Sequence, residues 1–233
     1  LFVNFDPRYL LEITEDGNAT GLDKKGSFWY NKYHSKVFVR QLGRFRALIY
    51  VTGDIHGDMS RFQVPAVKKL KEKDVLIVCG DFGFVWDGTK KEQKLLQKIG
   101  KRKHDTVFVE GCHDNYDLLR EYPKVPYRGG TARKISGNVY QLLRGEIYEI
   151  CGKKVFAFGG GDSEEQSLNG SRWWPEEQPS EEEQAYGVEN LRKCRGQVDI
   201  IVTHDAPAVI KQFIRMEDTE ASCIHMYLDY IAK

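Results

Sequence analysis

The sequence is poor in the features that would assign a function by composition. Of its 233 residues only five are cysteine (79, 112, 151, 194 and 223), an odd number with no Cys-x-x-Cys pair. That argues against a disulfide scaffold or zinc ribbon and for a reducing, cytoplasmic setting. Charge of one sign is lacking too: 35 Lys and Arg face 34 Asp and Glu, a net charge of +1. No global field therefore draws the chain to nucleic acid or to a lipid surface. Apolar runs stay strand-sized, as in Val75 to Cys79, which excludes a transmembrane helix. No basic-then-apolar leader opens the chain, so secretion is not expected. Internal repeats and low-complexity tracts are missing as well. What is present is 41% hydrophobic and 30% charged residues, the balance of one large folded domain or at most two small ones.

Residues 1–46 read as an N-terminal extension whose role the residues do not assign. Leu1 to Asp23 carries five acids and one base, whereas Lys24 to Arg46 carries seven bases and no acid, interleaved with Phe28, Trp29, Tyr30, Tyr33, Phe38 and Phe45. Basic charge mixed with aromatic rings suits single-stranded nucleic acid, but it equally suits a pair of strands packed on a neighbouring domain, and the latter is favoured.

From Ala47 to Lys233 the pattern is that of one α/β domain. Apolar strand-length runs alternate with helical patterns: strand 47–52, helix 60–72, strand 74–79, helix 90–101, strand 106–109 and a short helix over 116–121. Alternation of this kind predicts parallel βαβ units. Runs at 139–143, 146–150 and 155–158 with short connections predict an antiparallel meander. A helix is expected over 181–193, capped by Ser180 and Glu183, then a strand at 198–202 and helices over 206–215 and 220–232. The last pattern has no stop signal before Lys233, so a C-terminally truncated domain is expected.

Chemistry-bearing residues sit where four apolar strands end: Asp54-Ile55-His56 after Gly53, Asp81 after Gly80, Cys112-His113-Asp114 after Gly111, and His204-Asp205 after Thr203. The carboxyl ends of parallel strands share one edge, so these groups are expected to converge in one cleft. Asp and His are ligands for Mn, Zn or Fe ions, and a pair of such ions can clamp both oxygens of a phosphoryl displacement. Asp81 is the natural bridge, because one carboxylate can bind two cations.

The string Gly53-Asp54-Ile55-His56-Gly57-Asp58, then Gly80-Asp81, then Gly111-Cys112-His113-Asp114, then Thr203-His204, resembles the calcineurin-like metallophosphoesterases over about residues 47–215. The resemblance implies an α/β/β/α sandwich and hydrolysis of a phosphomonoester or phosphodiester at a centre of two divalent metal ions. By that likeness Asp54, His56 and Asp81 hold one ion, and Asp81, Cys112 and His204 the other. A metal-bound hydroxide is then the nucleophile, and His113 protonates the leaving oxygen while Asp114 orients its ring. Two departures qualify it. Position 112 is Cys where the family has Asn, and the final Gly-His-x-His motif is absent; the only histidine after His204 is His225, which is not expected to ligate. Either the strands that would complete the centre follow Lys233, or the chain binds metal weakly and catalyses poorly. The rival reading is an impaired nucleotide- or nucleic-acid-binding module with a degenerate metal site, and a weaker one is a thiol sensor at Cys112.

Overall fold

A computed structural model describes residues 2–3, 11–13, 19–20, 47–163, 173–213 and 222–233. The basic, aromatic stretch Lys24–Arg46 lies outside the described residues.

Among the described residues twelve strands form two sheets. The larger is built from β2 (Leu11–Ile13), β3 (Ala19–Thr20), β4 (Ile49–Thr52), β5 (Val75–Cys79), β6 (Asp105–Val109), β7 (Lys124–Tyr127), β8 (Gly130–Ser136) and β9 (Val139–Leu142), in the order β3-β2-β4-β5-β6-β9-β8-β7. Its central pairs, β4 with β5, β5 with β6 and β6 with β9, are parallel, while β8 and β7 return antiparallel on one side. The smaller sheet orders β1 (Phe2–Val3), β12 (Ile200–Thr203), β11 (Lys153–Phe158) and β10 (Ile147–Ile150) as β1-β12-β11-β10.

Burial explains the arrangement. β4, β5 and β12 are buried at every position, the mark of strands covered on both faces. Alternate residues of the two sheets meet in one apolar cluster, with Val51, Ile77 and Val107 from the large sheet and Tyr148, Val155 and Val202 from the small one. The other face of the large sheet, with Tyr50, Leu76 and Phe108, packs on α1 (Pro65–Lys68), α2 (Lys90–Gly100) and α3 (Tyr116–Glu121) through Val67, Leu96, Ile99 and Leu119. The outer face of the small sheet, Phe156, Phe158 and Ile201, packs on α4 (Glu181–Lys193) and α6 (Cys223–Ile231) through Leu191, Ile224, Tyr227 and Leu228. A further short helix, α5 (Ala208–Phe213), follows β12. No helix among the described residues is long and apolar enough to cross a membrane.

Several elements match expectation closely. The α4 helix begins with a complete capping box: the Ser180 hydroxyl accepts the Glu183 N–H at 3.2 Å, and the Glu183 carboxylate accepts the Ser180 N–H at 3.0 Å. Others differ. The helix expected over 60–72 is a 3-10 turn at Met59–Gln63 followed by the single-turn α1, because Pro65 has no N–H to continue the turn and holds Val64 extended at ψ 143°. The expected meander is split between sheets. β9 joins the large sheet beside β6, whereas β10 and β11 form a hairpin in the small one. The crossing lies at Gly145, whose φ of +77° and close approach to the Gly187 backbone leave no room for a side chain.

Arg144 stands at the same crossing and is buried. Its guanidinium pairs with the buried Glu110 carboxylate at 2.7 Å and with Glu183 at 2.8 Å, and donates to the Glu176 carbonyl at 2.7 Å. Glu110 in turn accepts from Gln141 Nε2 at 2.9 Å. Strand ends, crossing and α4 are thereby tied together by charge rather than by apolar contact.

Candidate metal centre

β4, β5 and β6 lie side by side and parallel, so the turns after them, at 53–58, 80–84 and 111–114, emerge along one edge. The first two turns are laced together: the Asp54, His56 and Gly57 N–H groups donate to the carbonyls of Gly80, Asp81 and Phe82 at 3.2, 2.9 and 3.1 Å. Asp54, His56 and Asp81 all adopt positive φ, of 45°, 43° and 50°. A non-glycine residue rarely does so without compensation, and such residues concentrate at functional sites. The β12 turn adds His204 from the small sheet.

Asp81 is the hub. Its carboxylate is buried, and the two oxygens face different partners. Oδ2 lies 2.9 Å from His113 Nδ1 and 3.5 Å from His56 Nε2, whereas Oδ1 accepts the His113 N–H at 2.8 Å and lies 3.6 Å from His204 Nε2. Burial alone would raise its pKa, but the hydrogen bonds from His113 and the His204 ring outweigh burial and hold it at about 2. Two glycines make the approach feasible. A Cβ on Gly80 would fall 2.3 Å from the His204 ring, and one on Gly111 would fall 2.3 Å from Asp81 Oδ1.

His204 Nδ1 lies 3.1 Å from the Cys79 carbonyl and 3.6 Å from Asp54 Oδ1. A carbonyl only accepts, so Nδ1 carries a proton, and Nε2 is the nitrogen turned toward Asp81, the atom left to ligate a cation there. Burial works against charge on this ring, yet the Asp81 and Asp54 carboxylates raise its pKa above the ordinary histidine value.

Two groups of donors result, His56–Asp81–His113 and Asp54–Asp81–His204, each with ligand atoms within 4.8 Å of one another. Imidazoles and carboxylates suit Mn, Zn or Fe, so the donor set fits divalent cations. The resemblance groups Asp54 with His56 and Asp81; in the structure His56 stands with His113, and Asp54 with His204. The His56 and His113 rings meet edge to face with centroids 5.1 Å apart and form the more exposed side of the centre.

Cys112 belongs to neither group. Its sulfur packs where a Gly161 Cβ would come within 2.4 Å, and burial, with the Glu177, Asp81 and Asp205 charges, pushes the thiol well above its ordinary range. A thiol held so reluctant to ionise argues against a redox sensor at this position. Asp114 is fully buried and accepts N–H bonds from Gly83 at 2.9 Å, Gly111 at 3.0 Å and Phe82 at 3.3 Å. Burial and the Asp81 charge raise its pKa to about 7 against those three donors. It fastens the His113 turn to the Asp81 turn, while the His113 Nδ1 is held by Asp81.

Glu177 had no sequence signal. It is buried beside Cys112, one oxygen accepting from Ser163 Oγ at 2.7 Å.

One residue past His204, Asp205 pairs with His225 Nε2 at 2.7 Å and Lys211 Nζ at 3.0 Å. His225 is therefore a buried structural partner, as its place in a helical pattern suggested. Burial opposes the Asp205 charge, but His225 and Lys211 hold its pKa at about 2, below the unfolded value of 3.8. A folded pKa below the unfolded one means stability that is present above pH 4 and lost as pH falls toward 2. Thermal melts should thus show wild type losing about 2 kcal/mol more than Asp205→Asn over that window; parallel losses would contradict the pairing.

A family model described as Calcineurin-like phosphoesterase matches residues 47–226. No curated protein and no solved structure matches the chain.

Proposed function

The chain belongs to the calcineurin-like phosphoesterase family, and from that premise we propose that it is a metal-dependent hydrolase of phosphomonoesters or phosphodiesters whose two cations share Asp81. The observation that carries this reading is the placement of the Asp81 oxygens, each turned toward a different donor group. The helix and sheet packing supports the α/β/β/α sandwich that the family likeness implies.

Divalent cations bound there would neutralise phosphoryl oxygens and lower the pKa of an attacking water. The residues supply the rest. Asp54 and His204 close the inner side of the centre, and His204 keeps Nε2 available by resting its Nδ1 proton on Cys79. His56 and His113 face the open side, where a substrate enters. His113, its Nδ1 resting on Asp81, would protonate the leaving oxygen rather than ligate, leaving His56 and Asp81 to hold a cation on that side. Asp114 holds the turn that carries His113. A reducing, cytoplasmic setting belongs to the same proposal and rests on the cysteine pattern.

The test is turnover of an aryl phosphate and a bis-aryl phosphate in added Mn²⁺, Zn²⁺ or Fe²⁺, with chelation abolishing it. The position of Cys112 outside both groups favours a second reading, a binding module with a weakened site. Phosphate-ester binding with no turnover in any of the three metals would select that reading and reject the first.

A further inference from the structure

The segment that follows His113 clamps two tryptophans beside the centre. Asn115 Nδ2 donates to the Trp86 carbonyl at 2.8 Å, and the Asn115 N–H donates to Val85 O at 3.1 Å. The buried Glu92 carboxylate accepts the N–H groups of Trp86, Asp87 and Gly88, which fixes the 86–88 turn from the other side. Asp117 accepts Trp174 Nε1 at 2.9 Å. The two indoles meet edge to face at 74° with centroids 5.8 Å apart, and Trp174 lies 6.3 Å from the Tyr116 ring. Tyr116 donates to the Gly111 carbonyl at 3.1 Å, and Gly111 abuts the Asp81 carboxylate. A short run of contacts thus leads from the indoles to the hub of the centre.

Both rings are half-buried, and neither belongs to the three apolar clusters that make the core among the described residues. Asn115 and Glu92 hold the Trp86 backbone and Asp117 holds the Trp174 indole N–H, while each tryptophan keeps part of its surface toward solvent. A rigid, wet-edged indole pair is what a planar ring stacks on, at little entropic cost to the protein.

Building on the phosphoesterase reading, we propose that Trp86 and Trp174 form a stacking platform for an aromatic ring carried by the leaving group, so that the preferred substrates are aryl or nucleoside phosphates rather than alkyl or sugar phosphates. The platform selects substrate and takes no part in bond cleavage.

The test uses two matched ligand pairs in Mn²⁺, phenylphosphonate against cyclohexylphosphonate and adenosine monophosphate against ribose 5-phosphate, with affinities read by calorimetry and indole fluorescence. The aromatic member of at least one pair should bind about tenfold more tightly, since stacking contributes on that order; which pair discriminates tells an aryl from a nucleoside source. Trp174→Leu, or Trp86→Leu if the first variant does not fold by circular dichroism, should remove the difference. Equal affinities within both pairs, no binding by any of the four, or a preference surviving in the folded variant would overturn the platform. Turnover is measured separately: ring preference without turnover rejects the phosphoesterase reading alone, and turnover without ring preference rejects the platform alone.

Discussion

Asp81→Asn is expected to cut turnover of a phosphate ester in Mn²⁺ by about a thousandfold, equivalent to about 4 kcal/mol of transition-state stabilisation. Asparagine keeps the shape and one oxygen but removes the charge, and it does so at the single side chain common to both donor groups. The amide must also point its NH₂ at one of the sides where Asp81 now faces imidazoles, His113 and His56 on one and His204 on the other. An amide nitrogen cannot ligate a cation, so at least one of the two groups loses a ligand. Metal content after gel filtration should fall together with rate. Activity within tenfold of wild type at undiminished metal content would show that Asp81 does not bridge, and the proposed centre would have to be abandoned.

Arg144→Leu is expected to cost stability of about 3–5 kcal/mol, the penalty of stranding a buried charge after its partner is removed. Glu110 is only 4% exposed, and with Arg144 gone it keeps the Gln141 amide but no cation. Glu183 and the Glu176 carbonyl lose a donor as well. Urea denaturation measures the loss, and for a domain of this size the melting temperature should drop by about 10 °C. Adding Glu110→Gln should restore part of it, because the double variant buries no unpaired charge. A single-variant loss below about 1 kcal/mol, or no recovery in the double variant, would show that solvent already screens the pair.

Much of the fold was legible because its central strands are buried on both faces and read as unbroken apolar runs; 49–52, 75–79, 105–109 and 200–203 could hardly be anything else. β7 and β8 were not legible. They lie at the sheet margin with exposed positions, Pro126 sits in one, and Arg133 and Lys134 in the other, so neither shows an apolar run or clean alternation. The split of β9 from β10 was hidden for a different reason: an apolar strand looks alike whichever sheet it enters, and only the backbone path at Gly145 decides. At the centre, the positions were legible from glycines and polar residues at strand ends. Which ring faces which Asp81 oxygen was not, because the positive-φ turns at Asp54, His56 and Asp81 set it, and backbone of that kind leaves no trace in residue type. Cys112 illustrates the limit of motif spacing. Its neighbours His113 and Asp114 contact Asp81 or its turn, while its own sulfur lies over Gly161 beside the His204 ring and in neither donor group.

The donors do not share one structural origin. Asp54, His56, Asp81 and His113 follow strands of the large sheet, whereas His204 alone arrives on the small sheet. Transient detachment of the small sheet would therefore dismantle Asp54–Asp81–His204 and spare His56–Asp81–His113. A cation held by Asp54, Asp81 and His204 would clasp the two sheets together, and amide hydrogens of β11 and β12 should exchange more slowly once metal is added, with little change in β5.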